Sequence, residues 1–197
     1  MSESARLDPY SPEGRKKATK YAWMSTIGIS MLSMVNVGIG MSSFGLFFRV
    51  LLTTYEASAA QISLFYTIEA AICAVIVLFS GYYIEKVSFK IISLIGVLAT
   101  AIQMFLIAYG PGLSTLYLAG VFAAVAQAAG GFGILLAIPP RWFARGASLA
   151  TNIGKIGSSL TGIILSPVIA TIITNQGYQA GGTFAAIFVL VVGLIAV

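Results

Sequence analysis

The chain has no histidine, a single cysteine and, among its 197 residues, only 9% that carry charge. Each scarcity excludes a class of chemistry. Without histidine there is no Ser-His-Asp arrangement, no zinc site of the HExxH type and no cysteine activated by an imidazole. With Cys73 alone, no disulfide framework forms within the chain. The acidic residues are Glu3, Asp8, Glu13, Glu56, Glu69 and Glu85, and most fall in the tail or loops, so no carboxylate pair is expected to converge. The run Gly130-Gly131-Phe132-Gly133 is no phosphate loop, because it lies inside an apolar stretch and follows no strand. These absences point away from an enzyme, and neither a metal nor a cofactor is expected.

What the chain does have is apolar surface, 58% of its residues being hydrophobic. A soluble domain carries about 25% charged and about 45–50% apolar residues. Lipid is the solvent that fits this composition. The net charge of +5 comes largely from Arg15, Lys16, Lys17 and Lys20 in the N-terminal tail, and the remaining basic residues stand singly at the ends of apolar runs. No basic stripe interleaved with aromatics follows a phosphate backbone, so nucleic acid is not an expected partner. Nor is the N-terminus a signal peptide. Its apolar stretch, from about Tyr21 to Leu52, far exceeds a signal core of about 7–15 residues.

Six apolar segments are long enough to cross a hydrocarbon core of about 30 Å. They lie near 22–52, 60–84, 89–110, 113–138, 147–174 and 180–197. This predicts an all-α integral membrane bundle at 21–197, preceded by a tail at 1–20. Turn and interface residues fill the breaks: Tyr55-Glu56-Ala57-Ser58, Glu85-Lys86-Val87-Ser88, Gly110-Pro111-Gly112, Pro139-Pro140-Arg141 and Asn175-Gln176-Gly177. The tail (Arg6, Arg15, Lys16, Lys17, Lys20), the second loop (Lys86, Lys90) and the fourth loop (Arg141, Arg145) hold lysine and arginine, while the first, third and fifth loops hold none. The positive-inside rule then puts both termini in the cytoplasm of a multi-pass plasma-membrane protein.

Three charges fall within or near the membrane: Arg49, Glu69 and Lys155. A charge at the bilayer centre costs at least about 2.5–3.5 kcal/mol, so each needs a reason. Arg49 lies about one turn from the end of the first span and reaches the headgroups by snorkelling. Lys155 and Glu69 each stand nine residues into a span, at a depth of roughly 13 Å from opposite surfaces. Two readings stay open: they pair with one another, or each faces a water-filled cavity and contacts substrate. Asn36, Gln127 and Asn152 are uncharged polar groups in the spans, for which interhelical hydrogen bonds and substrate contact are the alternatives.

Two small-residue patterns add organisation. Gly154, Ser158 and Gly162 recur every four residues along the fifth span, a spacing that lets helix backbones approach closely in lipid. Ser42-Ser43-Phe44-Gly45-Leu46-Phe47-Phe48 in the first span and Gly130-Gly131-Phe132-Gly133-Ile134-Leu135-Leu136 in the fourth share one pattern. Such a match is expected of two three-helix units of inverted topology.

The second loop, Gly81-Tyr82-Tyr83-Ile84-Glu85-Lys86-Val87-Ser88-Phe89-Lys90, resembles the motif between helices 2 and 3 of the major facilitator superfamily. Gly81, Glu85, Lys86 and Lys90 stand in the motif's places, and Ser88 replaces its second glycine. Arg141-Trp142-Phe143-Ala144-Arg145-Gly146, with Phe44-Gly45-Leu46-Phe47-Phe48 and Ala60-Gln61-Ile62-Ser63, is similar to the monocarboxylate transporter and oxalate–formate antiporter branch. The resemblance implies half of a twelve-helix fold, made of two three-helix inverted repeats, with substrate held between two six-helix halves. It further implies that Gly81, Glu85, Lys86, Lys90, Arg141 and Arg145 form a gating loop, while Lys155, Glu69, Arg49, Gln127, Asn36 and Asn152 are the candidate substrate contacts. Secondary transport of small organic anions such as monocarboxylates, by alternating access, is the function expected. A drug or metabolite exporter of the same fold and a non-transport scaffold subunit are the alternatives. Expected partners are the lipid bilayer, a small-molecule solute whose coupling to a proton stays open, and a second six-helix half or second copy. With no basic residue after Gly181, the sequence reads as a fragment of a longer protein.

Overall fold

A computed structural model of the chain describes residues 12–137, Pro139, Phe143 and 147–197. Side-chain surroundings are described from Lys20 onward within that set, apart from Gly81, Ile84, Glu85, Phe132, Leu136 and Ala137. Six helices among these residues are long and apolar enough to cross a membrane: α1 (Lys20–Thr54), α2 (Ala59–Leu78), α3 (Phe89–Tyr109), α4 (Leu113–Gly131), α5 (Ala147–Gln176) and α6 (Tyr178–Ala196). The described residues contain no strand. The architecture is therefore all-α and multi-pass.

Local chemistry explains where the helices begin and end. The Ser58 hydroxyl accepts from the Gln61 N–H at 3.3 Å, and the Ser58 N–H donates to Gln61 Oε1 at 2.9 Å. This reciprocal box satisfies two orphan donors at the start of α2. Pro111 separates α3 from α4 because it lacks an N–H and cannot continue the helix. Gly177, at φ 91°, joins α5 to α6 in a backbone region that costs glycine almost nothing. The breaks at 55–58 and 110–112 fall where the turn residues put them. The second span differs: the helix predicted over 60–84 breaks at Phe79, and a short helix, Ser80–Lys86, follows. The Ser80-Gly81 pair at that point is a recognised cause of kinks.

Helices pack in pairs, α1 against α5, α2 against α4 and α3 against α6, with α3 also beside α4 and α1 beside α6. Exchanging the first three helices for the last three maps this set of contacts onto itself. The core runs through α1, α3 and α4, whose apolar windows are 50%, 61% and 56% buried. For α2 and α5 the values are 17% and 22%, so these two stand at the flanks and expose most of their surface.

The backbone widens to i→i+5 bonding at Met34–Ser42 of α1, Ala126–Gly133 at the end of α4 and Thr161–Leu165 of α5, and the three widened segments meet. Widening disturbs the regular ladder, and in lipid every backbone polar group must find a partner within the protein. Side chains supply them. Asn36 Nδ2 donates to the Gly130 carbonyl at 3.1 Å, Gln103 Nε2 to Gly40 at 2.7 Å and Thr161 Oγ1 to Met34 at 2.9 Å. The Thr100 hydroxyl donates to Asn36 Oδ1 at 2.7 Å and completes the cluster.

Glycine lets these segments touch. A Cβ on Gly96 would lie 2.5 Å from the Gly130 Cα, and one on Gly157 would fall on the Ser30 carbonyl. The contact stripe of α5 is thus Gly154, Gly157 and Thr161 rather than the expected Gly154, Ser158 and Gly162. Gly162 is exposed and has no atom near it. A strict four-residue spacing drifts about 40° per step around a 3.6-residue helix, whereas alternating steps of three and four hold one face.

Candidate functional site

Along α2 the residues Tyr66, Glu69, Ala70, Cys73 and Val77 follow helical spacing and form one face. With Met41 of α1 and Gln127 of α4, this face encloses a cleft of about 450 Å³. Its walls are mainly apolar. At its floor Glu69 is 3% exposed, and its carboxylate accepts from Gln127 Nε2. Packing of α2 on α4 brings the two residues together across 58 positions of sequence. A carboxyl group at this depth needs a donor, and the amide supplies one.

Lys155 is elsewhere. It does not line the cleft, and among the described residues no ion pair joins it to Glu69. The first of the two readings of these charges, mutual pairing, is thereby overturned. Lys155 is exposed on α5 together with Ser148, Asn152 and Ser159, at steps of four, three and four residues. These share one sector of the helix. A second exposed sector, with Leu149, Ile156 and Ile163, is apolar, and a third, with Ala150, Gly154 and Gly157, is buried against the bundle. The flanking helix therefore presents two exposed faces of different chemistry.

The remaining candidates separate. Asn36 is fully buried, and Gly130 and Thr100 occupy its hydrogen-bonding groups. Arg49 is exposed in the last turns of α1, within reach of the interface. Lys86 donates to the Tyr82 hydroxyl at 2.7 Å and stands 4.0 Å over its ring centre, a cation–π contact. Lys90 is exposed at the second position of α3. Gly81 and Glu85 lie in the helix Ser80–Lys86, but the surroundings of their side chains are outside the described set. Arg141 and Arg145 lie outside the described residues.

Outside the spans, burial pushes the Tyr83 phenol up, with Cys73 adding to the effect, so it remains a neutral donor to the Ala128 carbonyl at 3.4 Å. Burial does the same for Tyr55, with Tyr178 adding, and Tyr55 ties the first loop to the third through the Gly110 carbonyl at 2.9 Å.

Thr100, Gln103 and Thr161, which hold the widened backbones, are absent from the sequence-derived set, as are Tyr66 and Cys73 in the cleft. Their signal was present. Thr100 and Gln103 sit three residues apart in an otherwise apolar span, and Tyr66 and Cys73 flank Glu69 at helical spacing. No protein-family model, curated protein or solved structure matches this chain.

Proposed function

We propose that the chain is a six-helix unit of a secondary transporter of major-facilitator type, moving small organic anions such as monocarboxylates by alternating access. The observation that carries this reading is Lys155 standing exposed beside Ser148, Asn152 and Ser159 on a membrane helix. Facing lipid, that sector would be costly; facing a water-filled cavity shared with a second six-helix unit, it is not. The self-mapping helix contacts support two three-helix repeats, as do the widened backbones in α1 and α4, the helices that open each group of three. Uptake of a labelled monocarboxylate by proteoliposomes holding the complete transporter is the expected result. Uptake indistinguishable from empty vesicles across a panel of small carboxylates would remove the proposal.

A second reading, export of an apolar cationic compound, is favoured by the cleft, where one carboxyl group lies among apolar walls. Cys73 lines that cleft. Under this reading a hydrophobic cation slows maleimide labelling of Cys73 several-fold, whereas a monocarboxylate leaves it unchanged. Under the leading reading neither ligand protects Cys73.

The charge alternation of the loops supports cytoplasmic termini in this proposal. In a Cys73→Ser background, single cysteines at Ser114 and Gln176 are expected to react with an impermeant thiol reagent in intact cells. A cysteine at Ser88 is expected to react only after permeabilisation. Labelling of position 88 in intact cells would reverse the orientation.

A further inference from the structure

At the end of the bundle where α1 and α3 begin and α6 stops lies a groove of about 490 Å³. Met24 and Leu32 of α1 and Phe89 of α3 give it apolar walls, while Ser25, Ser93 and Lys90 supply polar groups. Its floor is where α1 and α6 converge: a Cβ on Gly28 would come within 3.4 Å of the Ala196 carbonyl. We propose that this groove holds an anionic phospholipid, with an acyl chain along the apolar walls and the phosphate on Lys90.

Three observations select this occupant. The first is depth. Lys90 is the second residue of α3 and is exposed, so its ammonium stands at the level of headgroups, with the groove running from there toward the hydrocarbon. The second is surroundings. Tyr21, Met24 and Ile27 on α1, Ile91 and Ile95 on α3, and Leu194 on α6 are exposed apolar residues flanking the groove. Such a rim lies against acyl chains, so lipid is what the groove meets. The third is charge. Lys20 and Lys17 stand one and two turns before Met24 on the same side of α1, and the N-terminal end of α3 adds the positive end of its dipole. Basic pockets between membrane helices at one interface recognise anionic headgroups in this way. A zwitterionic lipid would gain from the walls but not from the charge. A free phosphate would gain from the charge but not from the walls.

The experiment is native mass spectrometry of the full chain released from detergent. It compares phosphatidylglycerol with phosphatidylcholine of identical acyl chains, with inorganic phosphate as competitor. Phosphatidylglycerol is expected to be retained preferentially, and phosphate at millimolar concentration is expected not to displace it. Lys90→Gln should lower that retention about fivefold, since a lysine at the headgroup plane contributes on that scale. Phosphatidylcholine retention should not change, and Lys90→Arg should keep most of the preference. Lys86→Gln, at the same end but outside the groove, should change nothing. Equal loss in Lys86→Gln and Lys90→Gln would reduce the effect to general surface charge and overturn the site. So would equal retention of the two lipids, or displacement by phosphate. Photocrosslinking from benzoylphenylalanine at position 24 keeps the proposal testable if Lys90→Gln is poorly folded. A phospholipid adduct is expected, and a crosslink confined to the polypeptide would mean that protein fills the groove.

Discussion

Gly157→Val is expected to abolish a stable bundle, while Gly162→Val on the same helix is expected to be tolerated. The two positions differ only in what stands opposite. At Gly157 the first carbon of any side chain would fall on the Ser30 carbonyl, a backbone atom that moves only if α1 moves. At Gly162 there is open space. Overpacking typically costs about 1–3 kcal/mol where side chains can yield, and a backbone wall yields less. The contact also seats Thr161, whose hydroxyl donates to the Met34 carbonyl in the widened segment of α1. Pushing α5 away therefore strands a carbonyl in a medium without water, at a cost of about 1–3 kcal/mol more. Thermal melting in detergent, read by size-exclusion chromatography, should show Gly157→Val aggregated and Gly162→Val close to the parent. If Gly157→Val melts with the parent, α1 and α5 do not touch here.

That pair of glycines also shows how far the sequence could be read. Hydropathy and turn residues placed the spans closely, because crossing lipid demands long apolar helices whatever the packing. The ends of α1 and α3 illustrate this, at Thr54 and Tyr109 against expected limits of 52 and 110. Which face of a helix meets a neighbour is a different matter. Both faces of α5 carry small residues, so spacing alone gave no reason to prefer Gly157 over Ser158. The widened backbones were equally hidden, since i→i+5 bonding has no composition of its own. What they do leave in the sequence is the polar residues that repair them, Asn36, Gln103 and Thr161.

The candidate site divides along the same line. Glu69 stood out because a carboxyl group inside a span is rare enough to need a reason. Its partner was obscure, because Gln127 is remote in sequence and meets it only through the packing of α2 on α4. Matching depths from opposite surfaces suggested Lys155 as the partner. Depth, however, says nothing about rotation around the helix axis, and rotation is what separates them. The structure turns Glu69 toward α4 and leaves Lys155 on the exposed flank of α5.

That separation sets the expected behaviour of Lys155 in the complete transporter. Lys155→Ala is expected to raise the KM for a monocarboxylate about tenfold or more, the scale on which a hydrogen bond to a charged group contributes to binding. The amount of transporter reaching the membrane should not change, because the side chain is exposed and its loss opens no cavity in the core. An anion entering a cavity of low dielectric is drawn to the ammonium far more strongly than in bulk water. Lys155→Arg should keep part of the activity, since the charge remains while the compact ammonium becomes a planar fork. Adding Glu69→Ala to Lys155→Ala should bring no recovery. Glu69 is held by Gln127 in a cleft that Lys155 does not line, so the two changes should combine independently. Recovery in the double variant would mean that the two charges meet in a state of the transport cycle with a different packing of α2 and α5. Unaltered kinetics in Lys155→Ala would assign the lysine to the interface alone and leave the polar sector of α5 without a substrate.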